Sequence, residues 1–200
     1  MKVALGITIA LATGMTVLSC AGGRVGMRKP VDGPASTIEP FTKVTLKNGL
    51  DVIVKEVHSA PIVAVYFWCN TGSVNESERI WGISHFYEHM FFKGTEKRGV
   101  GEIDRAVKAL GGYNNAFTSQ EYTAYYVVLP SENFSLAADV LADAIKNSKF
   151  PDDEIKKELG VITEEINRKE DDPTGKLYEE LFKIMFPGTP YAHPVLGTKE

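Results

Sequence analysis

The apolar residues of this chain fall into blocks whose spacing changes along its length, and each spacing implies an element. Two β-rich runs, Phe41 to Leu46 and Leu50 to Val57, flank Asn48-Gly49. Both of those residues tolerate positive φ, so a hairpin is expected there. After Pro61, Ile62 to Cys69 is almost wholly apolar, the pattern of a strand covered on both faces. Asn70 to Arg79 is polar and reads as a loop. A helix begins at Trp81 or Gly82, and Gly94-Thr95 ends it. Ile103, Ala106, Val107 and Leu110 recur at helical spacing within Glu102 to Leu110, and Gly111-Gly112 stops that helix. Asn115 to Thr118 and Thr123 to Leu129 read as two further strands, the second closing at Pro130. Ser131 is placed to cap a helix whose apolar positions include Phe134, Leu136, Ala138, Leu141 and Ile145. The next helix runs from Pro151 to about Lys169, and Asp171-Asp172-Pro173 separates it from another that reaches Met185. Gly197 to Glu200 reads as an N-cap and the first turn of one more helix.

The order β-β-β-α-α-β-β-α-α-α has hairpins and no regular βαβ alternation, which implies an α+β fold: a mixed, mostly antiparallel sheet packed against helices. No internal repeat is present. Two hundred residues with 44% hydrophobic and 24% charged content make one globular domain of ordinary size. Net charge is -4, and no basic run or Arg-rich stripe offers a nucleic acid an electrostatic footprint. The domain proper spans 41–200 and is expected to be incomplete at its C-terminal end.

The chain before it reads differently. Met1-Lys2 and the apolar stretch Val3 to Leu18 have the length and single positive charge of a secretory signal, so residues 1–19 are set apart from the fold. Val17-Leu18-Ser19-Cys20 resembles a bacterial lipobox, with Cys20 as the lipidated first residue of the mature chain. Residues 20–40 are rich in Gly and Pro and read as a flexible tether. These features place the protein in the bacterial envelope, on the periplasmic side and lipid-anchored, with secretion as the alternative. Cys69, in its apolar run, reads as a packed thiol and not a ligand.

The chemistry lies in His85-Phe86-Tyr87-Glu88-His89. On a helix, positions i, i+3 and i+4 share a face, so two imidazoles and one carboxylate project together. An isolated helical histidine is ordinarily just a hydrogen-bonded core or surface residue. Here two of the chain's four His fall within five positions, and Ile83, Phe86, Met90 and Phe91 surround them with apolar groups, where unpaired polar atoms would be costly. A zinc ion held by the imidazoles would satisfy them, with the carboxylate as base toward a bound water. Ligand type favours zinc over manganese or cobalt. A third ligand is expected on the helix from Asp152, whose apolar stripe is Ile155, Leu159, Ile162 and Ile166. Glu158 and Glu165 lie on one flank of that stripe, two turns apart, and Glu164 points away. Glu165 can face inward, and Glu158 can orient a ligand from behind.

His85-x-x-Glu88-His89 with Glu165 76 residues after His89 and Glu158 seven before Glu165 resembles the inverzincin, or M16, metallopeptidases, the family of pitrilysin, insulin-degrading enzyme and the mitochondrial processing peptidase β subunit. Gly72-Ser73 with Glu76, Phe92-Lys93-Gly94-Thr95, Gly111-Gly112, Asn115-Ala116-Phe117-Thr118, Tyr125-Tyr126, Pro130 and His193-Pro194 with Gly197 agree in order. The resemblance covers about Phe41 to Glu200. It implies His85, His89 and Glu165 as zinc ligands, Glu88 as the general base for peptide hydrolysis, and Asn115, Ala116 and Phe117 as an edge strand to which an extended peptide or unfolded segment adds. It also implies a second M16-like domain or partner subunit that completes the cleft. Such families include non-catalytic scaffold members, but those lose motif residues, and all four survive here. A thioether-cleaving relative of the fold needs a Cys ligand that Cys69 does not offer. A helical di-iron protein needs a second Glu-x-x-His pair, which is absent.

Overall fold

The computed structural model describes residues 3–5 and 41–199. In chain order its elements are β1 (Val3–Leu5), β2 (Thr42–Thr45), β3 (Asp51–Val54), β4 (Ile62–Cys69), α1 (Ile83–Met90), α2 (Glu102–Ala109), β5 (Tyr113–Thr118), β6 (Thr123–Pro130), α3 (Phe134–Asn147), α4 (Asp152–Asp171) and α5 (Pro173–Met185). The α+β class expected from the pattern is the class observed. The six strands form one sheet in the order β2-β3-β1-β4-β6-β5. All neighbours are antiparallel except β1 and β3. The β2–β3 hairpin turns at Asn48-Gly49 as expected: Gly49 has φ +84 and the Asn48 side chain accepts from the Leu50 N–H at 3.1 Å. Its strands are shorter than the apolar runs suggest.

β1 is the departure. The leader reading sets residues 1–19 outside the fold, yet Val3–Leu5 lies between β3 and β4, with Ala4 opposite both Asp51 and Trp68. The tether and Cys20 lie outside the described residues.

One face of the sheet carries the core. Val65 and Phe67 of β4 and Tyr125, Val127 and Leu129 of β6 alternate inward and meet Phe91, Ile103 and Val107, with Ala137, Val140, Leu141 and Ala144 of α3. Period two along the strands thus meets period 3.6 on the helices. β4 is therefore buried on one face only. Its other face is a half-covered aromatic row in which Tyr66 stacks on Tyr126 at 4.8 Å and Trp68 packs edge-on to Phe117 at 5.7 Å. Aromatic rings supply the apolar content that reads as full burial in sequence.

Three helical expectations are corrected. The α3 face turned inward is Ala137, Val140, Leu141 and Ala144, with Phe134 exposed, because small residues let the helix approach the sheet closely. Ser131 does not cap α3. It begins a 3-10 turn, and its N–H donates to the Pro61 carbonyl at 3.0 Å. Gly197 to Lys199 is not helical. Gly197 adopts φ +78 and lies so close to Trp81 that an added Cβ would sit 2.4 Å from the Trp81 carbonyl.

α4 differs in a way that matters for the site. Its buried residues are Glu154, Glu158, Ile162 and Ile166, whereas Leu159 is 50% exposed. The helix turns carboxylates inward and leaves part of its apolar stripe at the surface. α5 buries none of its residues, and Leu177 and Ile184 are 67% and 75% exposed.

Candidate metal centre

α1 packs against β5, β6 and α4, which brings two sequence-distant sets of ligating groups together. Its periodicity puts His85, Glu88 and His89 on one face, as expected. His85 Nε2 and His89 Nε2 lie 3.3 Å apart, and Glu165 Oε2 of α4 lies 3.5 Å from each. These three atoms are the sole group of this kind among the described residues. Tetrahedral donors about 2.0–2.1 Å from an ion stand roughly 3.3–3.4 Å from one another, so two imidazoles and one carboxylate fit zinc in both chemistry and spacing.

The supporting groups are graded in strength. His89 Nδ1 lies 3.0 Å from Glu158 Oε2, so its N–H can donate to the carboxylate and leave Nε2 free to ligate. Lys93 donates to the other Glu158 oxygen and lies 3.9 Å from Glu154. Burial raises the Glu158 pKa, but the Lys93 and His89 hydrogen bonds and charges outweigh it and leave the carboxyl below its ordinary value. His85 has no equivalent support: its Nδ1 is buried without a partner among the described residues. Burial, with His89 and Lys169 adding, pushes the His85 imidazolium down to about 4, so the ring is neutral, as a ligand must be.

Glu88 sits beside these groups. Its Oε2 accepts the Thr118 hydroxyl at 2.5 Å. Burial raises the carboxyl above its ordinary value, opposed by Thr118 and His89 and reinforced by Glu165. A carboxylate made more basic than usual suits proton transfer near neutrality. The cleft around it, about 510 Å³, is lined by His85, His89, Glu165, Glu88, Glu158, Phe92 and Lys93, and by Asn114, Asn115 and Ala116 of β5. β5 is an edge strand, the one beside α1. The Ala116 N–H donates at 2.9 Å to the Asn115 side chain. Phe117, the third expected edge residue, is placed on the opposite face of the sheet against Trp68, because successive strand residues alternate. Glu164 is exposed.

Sequence reasoning overlooked Lys93, Thr118 and Glu76 as functional positions. The four-residue step from His89 to Lys93 is a legible signal. Glu76 has no periodic link to the site, yet its two oxygens accept the N–H groups of Gly82 and Ser84 at 2.7 and 2.8 Å.

A two-layer α+β domain with an inverted His-x-x-Glu-His helix and a distant Glu defines a metallopeptidase-like centre, and the sequence comparison agrees: residues 51–199 match the family model described as Insulinase (Peptidase family M16). The chain belongs to the M16 peptidase family. It is 41% identical over 158 residues to an uncharacterized zinc protease, YmxG, of Bacillus subtilis, covering 79% of this chain and 39% of that protein. It is 39% identical to a probable mitochondrial-processing peptidase β subunit of Arabidopsis thaliana, covering 79% and 30%. Among solved structures it superimposes on a protease from Helicobacter pylori with TM-score 0.75 at 31% identity, covering 80% of this chain and 39% of that one. The periplasmic protease PqqL of Escherichia coli gives 0.73 at 26% identity, covering 80% and 18%. The chain thus spans well under half the length of these relatives.

Proposed function

We propose that this chain carries the zinc site of an endopeptidase that hydrolyses peptides or unfolded polypeptide segments. The observation that carries the reading is the convergence of His85 Nε2, His89 Nε2 and Glu165 Oε2 within 3.5 Å, with Glu88 beside them. Zinc, when held by these three groups, supplies Lewis acidity toward a peptide carbonyl and lowers the pKa of water. An extended substrate adds to the β5 edge, with Ala116 facing the cleft beside Asn114, and with the Asn115 side chain, which shares the opposite face with Phe117, yielding the Ala116 N–H. Glu88 takes the proton of the attacking water and passes it to the departing amine. Thr118 holds Glu88 in place by a hydrogen bond to its carboxylate, and Glu158 holds His89.

The exposed apolar faces of α4 and α5 suit burial against a second M16-like domain or subunit, which would complete the cleft and supply donors to the oxyanion. The leader-like residues 1–19 and Cys20 support an envelope location with a lipid anchor. That reading carries a structural consequence. Cleavage before Cys20 removes Val3–Leu5, so β3 keeps only β2, and β4 only β6, as a hydrogen-bonded neighbour. Mass measurement of the mature protein reports cleavage and acylation directly.

Metal analysis tests the site: about one zinc per chain is expected, and none after His85→Ala with His89→Ala. Glu88→Gln in the full-length protein is expected to retain zinc and lose peptide hydrolysis by at least ~10³-fold. Zinc binding with hydrolysis unchanged in that variant would remove Glu88 from the chemistry. A parent with zinc and no hydrolysis of any unstructured peptide would favour the non-catalytic scaffold.

A further inference from the structure

The two histidines reach the centre by different routes. His89 is fixed at its ring, by Glu158 backed by Lys93. The His85 ring has no hydrogen bond at Nδ1 among the described residues, so its aim depends on the backbone that carries it and on packing. That backbone is the first turn of α1, where the N–H groups have no intrahelical acceptor. The helix brings no cap of its own: Gly82 is its N-cap, with φ +91, and no acidic residue occupies its first turn. The acceptors come from outside. Glu76, only 9% exposed between two 3-10 turns, takes the Gly82 N–H on one oxygen and the Ser84 N–H on the other, one residue before His85. Trp81 stacks on His193 at 4.9 Å, and Gly82 lies against Leu196-Gly197 with no room for a Cβ, so the same end of the helix is also held from the far side.

We propose that Glu76 is a positioning residue for the metal centre, doing for His85 through the backbone what Glu158 does for His89 through the ring. A carboxylate at the positive end of a helix, accepting two of its free N–H groups, fixes the first turn in angle and height. With that turn fixed, His85 Nε2 stays 3.3 Å from His89 Nε2. Without it the turn frays and the unsupported ring leaves the triangle of donors, while His89 and Glu165 remain.

The inference rests on the zinc reading above, and its test separates the two. Zinc affinity of the full-length protein is measured by competition with a chromophoric chelator, with folding followed by circular dichroism. Glu76→Gln keeps the shape but loses the charge, and it is expected to weaken zinc about tenfold in a folded protein. Glu76→Asp, which keeps the charge at shorter reach, is expected to fall between parent and Gln, and it carries the same measurements should Glu76→Gln not fold. The discriminating step is a double-mutant cycle. On a His85→Ala background the Glu76 change is expected to cost no further affinity, and on His89→Ala it is expected to cost the full tenfold. Unchanged zinc affinity in a folded Glu76 variant overturns the proposal, and so does an equal loss on both backgrounds. A parent that binds no zinc overturns the site itself.

Discussion

At the scale of single residues, the chemistry depends on how few groups stand between each reactive atom and bulk solvent. Thr118 is the simplest case. Its hydroxyl stabilises the Glu88 carboxylate, against a burial that already raises the pKa. Removing that donor in Thr118→Val destabilises the charged form, so the Glu88 pKa rises further. The acidic limb of the kcat/KM profile is expected to move to higher pH, because the base is protonated over a wider range. A shift to lower pH, or none, would mean that the limb belongs to another group. Glu158→Gln is the companion at the metal: it leaves an acceptor for His89 but removes the charge that Lys93 pairs with. Zinc affinity is expected to fall by ~10-fold or more with the ligands intact, and chelator competition reads it directly.

At the scale of elements, α1 and α4 show how far local pattern reaches. The i, i+3, i+4 spacing places His85, Glu88 and His89 on one face whatever α1 packs against, because the helical repeat is local. α4 obeys a different constraint. Its apolar stripe predicts Leu159 inward, but Lys93 and the two histidines draw Glu158 and Glu165 toward α1, and the helix rotates to suit them. Carboxylates satisfied by cations and imidazoles lose little on burial, so charge pairing overrides hydrophobicity here. The consequence is measurable. In this chain Leu159→Ala is expected to change stability by less than ~1 kcal/mol, and Ile162→Ala, which empties a buried site, by ~2–4 kcal/mol. Equal costs in denaturant titrations would place Leu159 in the core after all.

At the scale of the whole molecule, one buried ion pair ties the helical layer to the loop after α1. Asp143 on α3 accepts from the Thr95 hydroxyl at 2.7 Å, Arg98 at 2.6 Å and Asn147 at 2.8 Å. Burial raises its pKa, but these three donors and the Arg98 charge lower it further, so the net direction is below the ordinary carboxylate value. The unfolded chain therefore binds the proton more readily. The stability that Asp143 contributes is complete above the ordinary carboxylate range near 4 and is lost as pH falls through the lower, folded value. Asp143→Asn is expected to lower stability at pH 7 by ~2–3 kcal/mol and to reduce the loss of Tm on acidification. A Tm that falls as steeply with acid in the variant would assign the acid sensitivity elsewhere.

The sequence by itself determined what a periodic pattern can determine: the α+β class, the hairpin at Asn48-Gly49, and the shared face of His85, Glu88 and His89. Turn chemistry and helical repeat act over a few residues and tolerate little else. Glu165 and Glu158 were already legible from their flank of the α4 stripe and from the family resemblance; only the tertiary structure brought Glu165 to 3.5 Å from both histidines, and only it showed Glu76 capping the helix that carries His85. It also decided that Phe117 faces away from the cleft and that Val3–Leu5 occupies a place in the sheet. The reason is physical. A one-dimensional pattern specifies angles within an element, but the rotation of one element against another is set by the sum of all the contacts between them. Residues such as Glu76, which act across a gap in sequence through backbone N–H groups, leave no periodic trace for a pattern to reveal.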